Sequence, residues 1–311
     1  MHPISTVHIL LATYNGARYL DEQLQSIARQ THCDWTLTVS DDGSTDDTLA
    51  IVQRFAAQVH QPVTVLQGPR QGSSTANFFY LLAQAPTGNS QDLYAFCDQD
   101  DVWLDDKLSS AVKWHIQYSG QNVRLYCART QVVDEQLQPI GISPNIKRTP
   151  SFGNALVQNI ASGNSMVFSH AVLLTQRKVL PEHSVWHDWT TYIVSTALGG
   201  LVFFDETPNL LYRQHQNNVI GTNNGLRSQL NRLQPLFSGR YKNWADLTER
   251  TIQDIKDELP QRSLDIFYKF QALRRSPSFL VRLRTYKNSE VRRQRIISNA
   301  SLIFAILFRL V

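Results

Sequence analysis

The first 118 residues alternate short apolar runs with amphipathic segments, and this alternation constrains the fold more than any other feature of the chain. Apolar runs of about four to eight residues are typical of buried strands, whereas apolar residues repeating every three or four positions indicate helices. A strand–helix–strand series predicts a mostly parallel sheet with helices on both faces. The predicted strands are Val7–Ala12, Trp35–Ser40, Val63–Gln67 and Leu93–Cys97, and the predicted helices are Ala17–Gln30, Asp47–Val59, Thr75–Ala85 and Leu104–Tyr118.

The rest of the chain is less regular. Strands are predicted near Leu125–Ala128, Ser165–Phe168 and Leu201–Phe204, and helices at His170–Val179 and Trp189–Ala197. After residue 225 the sequence becomes polar, basic and helical in pattern. We therefore expect an α/β domain over residues 1–222, followed by a helical, basic region over residues 223–311.

The composition is that of an ordinary globular protein, with 42% hydrophobic and 18% charged residues. The three cysteines, Cys33, Cys97 and Cys127, show no CxxC spacing, so we expect reduced core residues in a cytosolic protein and no zinc site. The N-terminus lacks a basic stretch followed by an apolar one, so secretion is not indicated.

Three carboxylates stand directly after the fourth predicted strand, namely Asp98, Asp100 and Asp101. Acids crowded at the end of an apolar strand repel one another and lose hydration. A bound Mg²⁺ or Mn²⁺ would relieve both effects, because these ions prefer oxygen ligands. The carboxyl ends of strands are also where open α/β sheets bind ligands. The plainer interpretation is a polar turn before the next helix.

Two further polar turns follow the first and second predicted strands. They are Thr13-Tyr14-Asn15-Gly16 and Asp41-Asp42-Gly43-Ser44. The two acids of the second turn would accept hydrogen bonds from a nucleobase or a ribose, and its glycine allows close backbone approach. The alternatives are an ordinary turn for the first and a helix N-terminus for the second, where Ser44 with Asp47 predicts a capping box.

In this order and spacing, the three motifs closely resemble those of family 2 glycosyltransferases of the GT-A fold, over roughly residues 5–220. The motifs are Leu11-Ala-Thr-Tyr-Asn-Gly16, Val39-Ser-Asp-Asp-Gly-Ser-Thr-Asp-Asp-Thr48 and Phe96-Cys-Asp-Gln-Asp-Asp-Val-Trp103. The third is most similar to the bacterial rhamnosyltransferase-like branch. The resemblance implies a Rossmann-like GT-A domain whose nucleotide-sugar half covers about residues 1–105 and whose acceptor half covers about residues 106–222.

The resemblance also implies a role for each polar residue of the first half. Asp98 would face the ribose and the donor sugar, and Asp100 would ligate Mg²⁺ or Mn²⁺ on the diphosphate. Asp98 and Asp101 are further candidate metal ligands, and Arg70 is a candidate phosphate contact. The residues implied to line the nucleotide and donor pocket are Thr13, Tyr14, Asn15, Asp41, Asp42, Asn77, Asp98 and Arg213.

The segment Val185-Trp-His-Asp-Trp189 resembles the part of the family that carries the catalytic base. Asp188 is the predicted base, because an acid flanked by Trp186 and Trp189 would have a raised pKa, which suits proton abstraction. His187 is the competing base. The plainer interpretation is that these two residues cap the next helix.

Two loops complete the implied site. The sequence 162–168 resembles the loop that closes over the donor sugar and begins the acceptor site, and it contributes Gly163 and Asn164. After the last predicted strand, Arg213 would clamp the diphosphate and His215 would be an imidazole ligand of the metal. A lone histidine in a polar loop is more often merely solvated, but the Arg-x-His pairing at this place favours function.

The resemblance implies an inverting transferase, in which an acceptor hydroxyl attacks the anomeric carbon and one base suffices. The favoured donor is dTDP-rhamnose, with UDP-sugars as alternatives. The implied acceptor is a growing cell-surface polysaccharide, such as an O-antigen, on a lipid carrier.

Two other hypotheses remain. Asp98 would be the nucleophile of a haloacid dehalogenase-like phosphatase, although that motif normally sits on the first strand. A degenerate transferase acting as a non-catalytic scaffold is the second. A sugar nucleotidyltransferase is disfavoured, because no Gly-rich, Lys/Arg-bearing loop follows the first strand.

The C-terminal region is strongly basic. Residues 261–311 hold eleven Lys/Arg and two acids, whereas the first 260 residues hold 19 basic and 24 acidic residues. A basic segment before an apolar end predicts a helix on an anionic membrane surface, on the cytoplasmic face of the inner membrane. Packing on the domain or an oligomer contact are the alternatives, and nucleic acid is not expected. Eight of these basic residues, which precede the apolar end, are Arg274, Arg275, Arg282, Arg284, Lys287, Arg292, Arg293 and Arg295.

Overall fold

The structure is a computed structural model that describes residues 6–215 and 239–311. The chain divides into two compact units. The first unit comprises Met1–Asn145, Ala161–Arg177 and Gly200–Asn217, and the second comprises Ile146–Ile160, Lys178–Gly199 and Asn218–Val311. The domain boundary predicted between residues 222 and 223 lies outside the described residues.

The first unit is built on two sheets. The strands are β1 (Val7–Thr13), β2 (Trp35–Asp41), β3 (Val63–Gln67), β4 (Leu93–Cys97), β5 (Val102–Trp103), β6 (Arg124–Ala128), β7 (Gln131–Val133), β8 (Pro139–Ile142), β9 (Val167–Ser169), β10 (Leu201–Asp205) and β11 (Leu210–Arg213). The seven-stranded sheet has the order β10-β6-β9-β4-β1-β2-β3, and the four-stranded sheet has the order β5-β11-β7-β8. In the larger sheet only β9 runs antiparallel to its neighbours β4 and β6.

Helices cover both faces of the larger sheet, because its central strands are apolar on both sides. Side chains of a strand alternate between the two faces. Ile9 and Leu11 of β1 pack with Leu24 in one core cluster, whereas Phe96 of β4 meets Phe78 edge to face at 5.2 Å on the other side. The helices of this unit are α1 (Leu20–Ala28), α2 (Thr48–Ala56), α3 (Ser74–Gln84), α4 (Lys107–Gln117) and α6 (His170–Gln176).

The second unit is helical. Trp189 is buried, and its indole N–H donates to the Ala155 carbonyl at 2.7 Å, which ties two helices together. Phe267, Phe270 and Leu302 are further buried core residues. The helices are α5 (Phe152–Ala155), α7 (His187–Ala197), α8 (Arg240–Asp254), α9 (Gln261–Arg275), α10 (Phe279–Lys287) and α11 (Ile296–Leu307).

The predicted α/β class, with a mostly parallel sheet, flanking helices and C-terminal helices, is confirmed. Two local predictions are wrong. The capping box is not formed, because the Ser44 hydroxyl donates to Asp41 and Asp47 makes no side-chain cap at α2. Cys33 is exposed and therefore not a core residue, whereas Cys97 and Cys127 are buried, and all three thiols are free.

Candidate functional site

One side chain fastens the loop after β4 to the loop after β1. The Gln99 carboxamide accepts a hydrogen bond from the Tyr14 backbone N–H at 2.9 Å and donates one to the Tyr14 carbonyl at 3.1 Å. A Cβ atom at Gly16 would overlap the Gln99 side chain, so a larger residue there would displace this glutamine. The glutamine between the acids therefore fixes the acid-bearing loop against the end of β1.

Asn15 joins the loop after β1 to the loop after β2. Its φ of 47° lies in the left-handed region, which asparagine tolerates better than most residues. The Asn15 N–H donates to Ser44 Oγ at 2.8 Å, and Asn15 Oδ1 accepts from the Thr45 N–H at 2.9 Å. The loops after β1, β2 and β4 thus form one connected edge, as parallel strands require, and Asn15 contributes a link within it.

Asp41 and Asp42 are buried, and their carboxylates order the same edge. Asp41 accepts from the Thr13 hydroxyl at 3.1 Å and from the Ser44 N–H at 2.9 Å. Asp42 accepts from the Gly72 N–H at 2.8 Å. Both acids are therefore held in one orientation before any ligand arrives, and their contact with a nucleotide stays a prediction, like that of Thr13 and the exposed Tyr14.

Asn77 is buried and bonds to the end of β2. Its Nδ2 donates to the Ser40 carbonyl at 2.9 Å, and its Oδ1 accepts from the Ser40 hydroxyl at 2.5 Å. These bonds support the backbone beside Asp41, and the donor contact of Asn77 stays a prediction. The Arg70 side chain packs next to Gly43 of the second turn. A Cβ atom at Gly43 would lie 3.5 Å from it.

Asp101 is fully buried and bonded within the protein. One oxygen accepts from the Asn164 amide and the other accepts from the Arg213 backbone N–H at 3.2 Å. Burial raises the pKa of Asp101 well above its usual range, and the charges of Asp100 and Asp98 raise it further. Both oxygens are engaged, so Asp101 anchors the loop, and its contact with a metal stays a prediction.

Arg213 is a second anchor of the acid loop. The side chain is 2% exposed, its Nε donates to the Asp100 carbonyl at 3.0 Å, and one terminal nitrogen donates to the Glu135 carbonyl at 2.7 Å. The other terminal nitrogen pairs with Glu22, and the guanidinium lies over the Tyr19 ring at 4.6 Å. These partners hold the guanidinium against the protein, and its contact with a diphosphate stays a prediction.

Asp100 and His215 are brought together, although 115 positions separate them. Asp100 Oδ2 and His215 Nε2 lie 2.8 Å apart, and the imidazole stacks on Tyr19 at 5.1 Å. Two ligands at right angles around Mg²⁺, each about 2.1 Å from it, are roughly 3.0 Å apart. The spacing therefore fits a shared divalent ion with little movement of either side chain.

The remaining ligands of such an ion would come from outside these two residues. Within residues 6–215 and 239–311, no group of three or more His, Cys, Asp or Glu side chains is arranged to hold a metal. Mg²⁺ is commonly held by one or two carboxylates together with substrate phosphates and water. The donor set therefore fits an ion that arrives with a diphosphate.

The predicted donor-sugar loop supports the acid loop from the other side. Gly163–Ser165 forms a single 3₁₀ turn, in which the Gly163 carbonyl accepts from the Met166 N–H at 2.8 Å. Asn164 accepts from the Ser162 hydroxyl at 2.6 Å while its amide holds Asp101. Asn164 is thus a positioning residue for the acids.

The predicted base lies in the second unit, in the first turn of α7. Asp188 Oδ1 accepts from the Trp189 backbone N–H at 2.6 Å, which orients the carboxylate. Burial lowers the pKa of His187 to about 3, so this imidazole is neutral at pH 7 and a weak base. Burial thus disfavours a proton on His187, and the role of Asp188 as the base stays a prediction.

Aromatic rings surround this part of α7. The rings of Trp186 and Trp244 are 5.2 Å apart, those of Trp189 and Trp244 are 5.7 Å apart, and Tyr241 meets Trp244 at 5.5 Å. The sequence analysis identified Trp186 and Trp189 but missed Trp244, because nothing local in the sequence links positions 186 and 244. Gln99, Glu22 and Tyr19 were missed for the same reason, although the placement of Gln99 between two acids was an available signal.

We expect Gln99→Ala to weaken donor binding about ten- to thirtyfold. The substitution removes two hydrogen bonds of about 1 kcal/mol each that hold the acid loop in place. The measurement is donor affinity by calorimetry, with Gln121→Ala as a matched control, because the Gln121 side chain is exposed and lies outside the site. Unchanged donor affinity in Gln99→Ala would show that the loop needs no such fastening.

Comparison with known proteins gives consistent results. The sequence profile of the family described as Glycosyl transferase family 2 matches residues 8–182. The dTDP-rhamnosyl transferase RfbG of Shigella flexneri is 27% identical over 72% of this chain and 78% of its own length. An uncharacterized glycosyltransferase of Nostoc is 28% identical over 68% of this chain and 66% of its own.

Solved structures share the fold. TarS of S. aureus in complex with UDP superposes with a TM-score of 0.56 at 17% identity, covering 87% of this chain and 71% of TarS. The mannosyltransferase PcManGT of Pyrobaculum calidifontis, in complex with GDP-Man and Mn²⁺, has a TM-score of 0.51 at 15% identity and covers 98% of this chain and 85% of its own. At these identities the likeness concerns the fold alone.

Proposed function

Because the chain belongs to the family 2 glycosyltransferases, we propose that it transfers a sugar from a nucleotide diphosphate to an acceptor hydroxyl with inversion at the anomeric carbon. The observation that carries this proposal is the acid-bearing loop after β4. Gln99 and Arg213 hold that loop in one arrangement, with Asp100 beside His215. Family membership removes the phosphatase hypothesis, which required Asp98 on a first strand.

The favoured donor is dTDP-rhamnose. The relative from Shigella flexneri, which matches 72% of this chain, is described as a dTDP-rhamnosyl transferase. The TarS structures contain UDP or UDP-GlcNAc, so a UDP-sugar is the alternative donor class. In this proposal the nucleotide lies against the connected edge formed by the loops after β1, β2 and β4.

Asp100 and His215 would hold Mg²⁺ or Mn²⁺, with Asp98 beside them toward the donor. When bound, such an ion neutralises the charge that builds on the leaving diphosphate. Asp101, Asn164 and the Arg213 guanidinium hold the acid loop in its geometry. Preorganised charges of this kind need no rearrangement during the reaction.

Asp188 would take the proton of the acceptor hydroxyl. As the proton leaves, the hydroxyl oxygen forms a bond to the anomeric carbon, and the bond from that carbon to the phosphate oxygen breaks with its electron pair leaving on the nucleoside diphosphate. Attack opposite the leaving group inverts the configuration, and no covalent sugar–enzyme intermediate is required. The orientation of Asp188 and the low basicity of His187 support this assignment.

The proposal is tested by thermal stabilisation with a panel of nucleotide sugars, with and without Mn²⁺ or Mg²⁺. We expect dTDP-rhamnose with metal to raise the melting temperature, because a ligand at one hundred times its Kd adds about 2.7 kcal/mol to the free energy of unfolding. Release of free sugar by slow donor hydrolysis would separate an active transferase from a scaffold. If no donor stabilises the protein under any metal condition, the proposal is wrong.

The acceptor is proposed to be a lipid-linked glycan reached at the cytoplasmic face of a membrane. No helix in the described ranges is long and apolar enough to cross a membrane. Helix α11 instead carries an exposed apolar stripe. Ile297, Phe304 and Phe308 share one face at spacings of seven and four residues, next to Ile296, and the side chains of Ile296 and Ile297 are 82% and 85% exposed.

The charges around this stripe suit an anionic surface, although fewer are available than the sequence suggested. Arg274 and Arg282 are buried among protein acceptors, which corrects their predicted role at a membrane. Arg295 and Arg309 remain exposed at either end of α11, with no charged residue between them. Each basic residue near an anionic bilayer contributes about 1 kcal/mol of attraction.

We expect the double substitution Ile297→Glu, Phe308→Glu to lower binding to vesicles of phosphatidylcholine with phosphatidylglycerol at least tenfold. Two large apolar side chains would be lost from the contact and two negative charges gained, while the buried face with Leu302 and Ile306 stays intact. Sedimentation with vesicles measures the effect. Leu174→Glu, an exposed leucine on α6, is the control, and equal sedimentation of all three proteins would remove the membrane proposal.

A further inference from the structure

The second unit contains a polar cavity of about 160 Å³. One wall is the segment leading into α5, and the other is the segment between α10 and α11. All its lining side chains are polar and include Arg148, Ser151, Asn154, Glu290, Arg292 and Gln294. This volume is smaller than the roughly 300 Å³ of the smallest pockets for drug-sized ligands. It is several times larger than the volume of one water molecule, which is about 30 Å³.

Buried amides hold the two walls together. Gln294 Oε1 accepts from the backbone N–H groups of Lys147 and Arg148 at 2.9 and 2.8 Å. Asn154 Nδ2 donates to the Arg292 carbonyl at 2.8 Å, and Gln294 Nε2 donates to Asn154 Oδ1 at 3.2 Å. Because these bonds exist in the free protein, the cavity is preorganised and a ligand loses little affinity to ordering it.

Several groups at the cavity keep hydrogen-bonding capacity. In the part of the chain that the structure describes, the Arg148 guanidinium makes no hydrogen bond or ion pair. Arg292 lies over the Tyr286 ring at 4.1 Å and gives one terminal nitrogen to backbone carbonyls, which leaves its other N–H groups. The Glu290 carboxylate is half exposed and meets only the exposed Arg262, at 3.3 Å.

We propose that this cavity binds one neutral sugar residue of the acceptor glycan, away from the reacting hydroxyl; this inference rests on the proposed function. A sugar hydroxyl both donates and accepts, so it matches a cavity that offers arginine donors together with a carboxylate acceptor. Glu290 would repel a phosphate or carboxylate group and so opposes the attraction that Arg148 and Arg292 exert on an anion. The Ser151 hydroxyl accepts from the Asn154 N–H at 3.2 Å and can still donate its own proton to a ligand.

The cavity is linked to the helix that carries Asp188. Tyr192 lies four residues, about 6 Å, after Asp188 along α7. Its hydroxyl accepts a hydrogen bond from the Ser151 N–H at 3.1 Å and donates one to Asn154 Oδ1 at 3.0 Å. The wall of the cavity and the predicted base are therefore supported by consecutive turns of one helix. A glycan held in the cavity would be positioned relative to α7.

The test uses the full chain and methyl α-L-rhamnopyranoside as the probe, with inorganic phosphate as the competing anion. We expect the wild type to bind the glycoside with a Kd of about 1–10 mM by calorimetry, and the variant Arg148→Gln, Glu290→Gln to bind it at least tenfold more weakly. Both substitutions are at exposed side chains, so folding should be unaffected. Glu258→Gln, an acid of the same unit outside the cavity, is the control and should bind like wild type.

Two further readouts separate the outcomes. Donor-dependent thermal stabilisation should be the same in the double variant and the wild type. Failure of the proposed function would appear as absent donor-dependent stabilisation, whereas failure of the cavity proposal would appear in glycoside binding. Equal glycoside binding by wild type and double variant, or no binding by either, would overturn the cavity proposal. Displacement of the glycoside by millimolar phosphate, with tighter phosphate binding in Glu290→Gln, would overturn it in favour of an anion site.

Discussion

Asp188→Asn is expected to lower sugar transfer about a thousandfold while donor binding stays at the wild-type level. General base catalysis contributes about 10²–10⁴ in rate, and a thousandfold loss corresponds to about 4 kcal/mol of activation free energy. Asparagine keeps the oxygen that accepts from the Trp189 N–H, so the first turn of α7 should be preserved. The measurement is the transfer rate at saturating donor, together with donor affinity by calorimetry.

Two control variants separate this effect from structural damage. Glu182→Gln changes an exposed acid shortly before α7 and should leave transfer unchanged. His187→Gln should lower transfer less than tenfold per folded molecule, because an imidazole whose pKa is about 3 contributes little as a base. Near-native turnover of Asp188→Asn, or a larger loss in His187→Gln, would show that the base has been assigned to the wrong residue.

Asp100→Asn is expected to abolish the metal-dependent part of donor stabilisation and to lower transfer at least about a hundredfold. The loss of a coordinating carboxylate should exceed the 10–100-fold typical of residues that only support ligands. Asparagine still offers an oxygen to His215 and leaves the backbone contact with Arg213 intact. Melting temperatures with dTDP-rhamnose, with and without Mn²⁺, measure the effect.

The metal-free stability of Asp100→Asn gives an independent check. Asp100 raises the pKa of the buried Asp101, so removing its charge should leave the free energy of unfolding unchanged or slightly higher. Asp105→Asn, an exposed acid beyond the motif, is the matched control for donor binding. Metal-dependent stabilisation that persists in Asp100→Asn would mean that the ion, if one binds, uses other ligands.

Much of the fold was predictable from local sequence. Runs such as Val63–Gln67 and Leu93–Cys97 became strands with the predicted bounds, because their apolar content and flanking turn residues act over a few positions. The meeting of three polar turns at one edge was predictable too, since the carboxyl ends of parallel strands lie side by side. The small sheet of β5, β11, β7 and β8 was not expected, because its strands have two to four residues and join distant parts of the chain.

In the candidate site, too, some features follow from the local sequence and others only from the tertiary structure. The sequence alone establishes that acids follow β4, in which order they stand, and that they resemble a family motif. These properties depend only on residues that are adjacent in the chain. Which carboxylate oxygens are free depends on partners far away in the chain: Arg213 reaches Asp101 across 112 residues, and Gln99 reaches Tyr14 across 85. Side-chain hydrogen bonds form only when the packed backbone brings two distant groups within about 3 Å. For that reason, only the tertiary structure decided the hydrogen-bond partners of Asn77, Asp101 and Arg213.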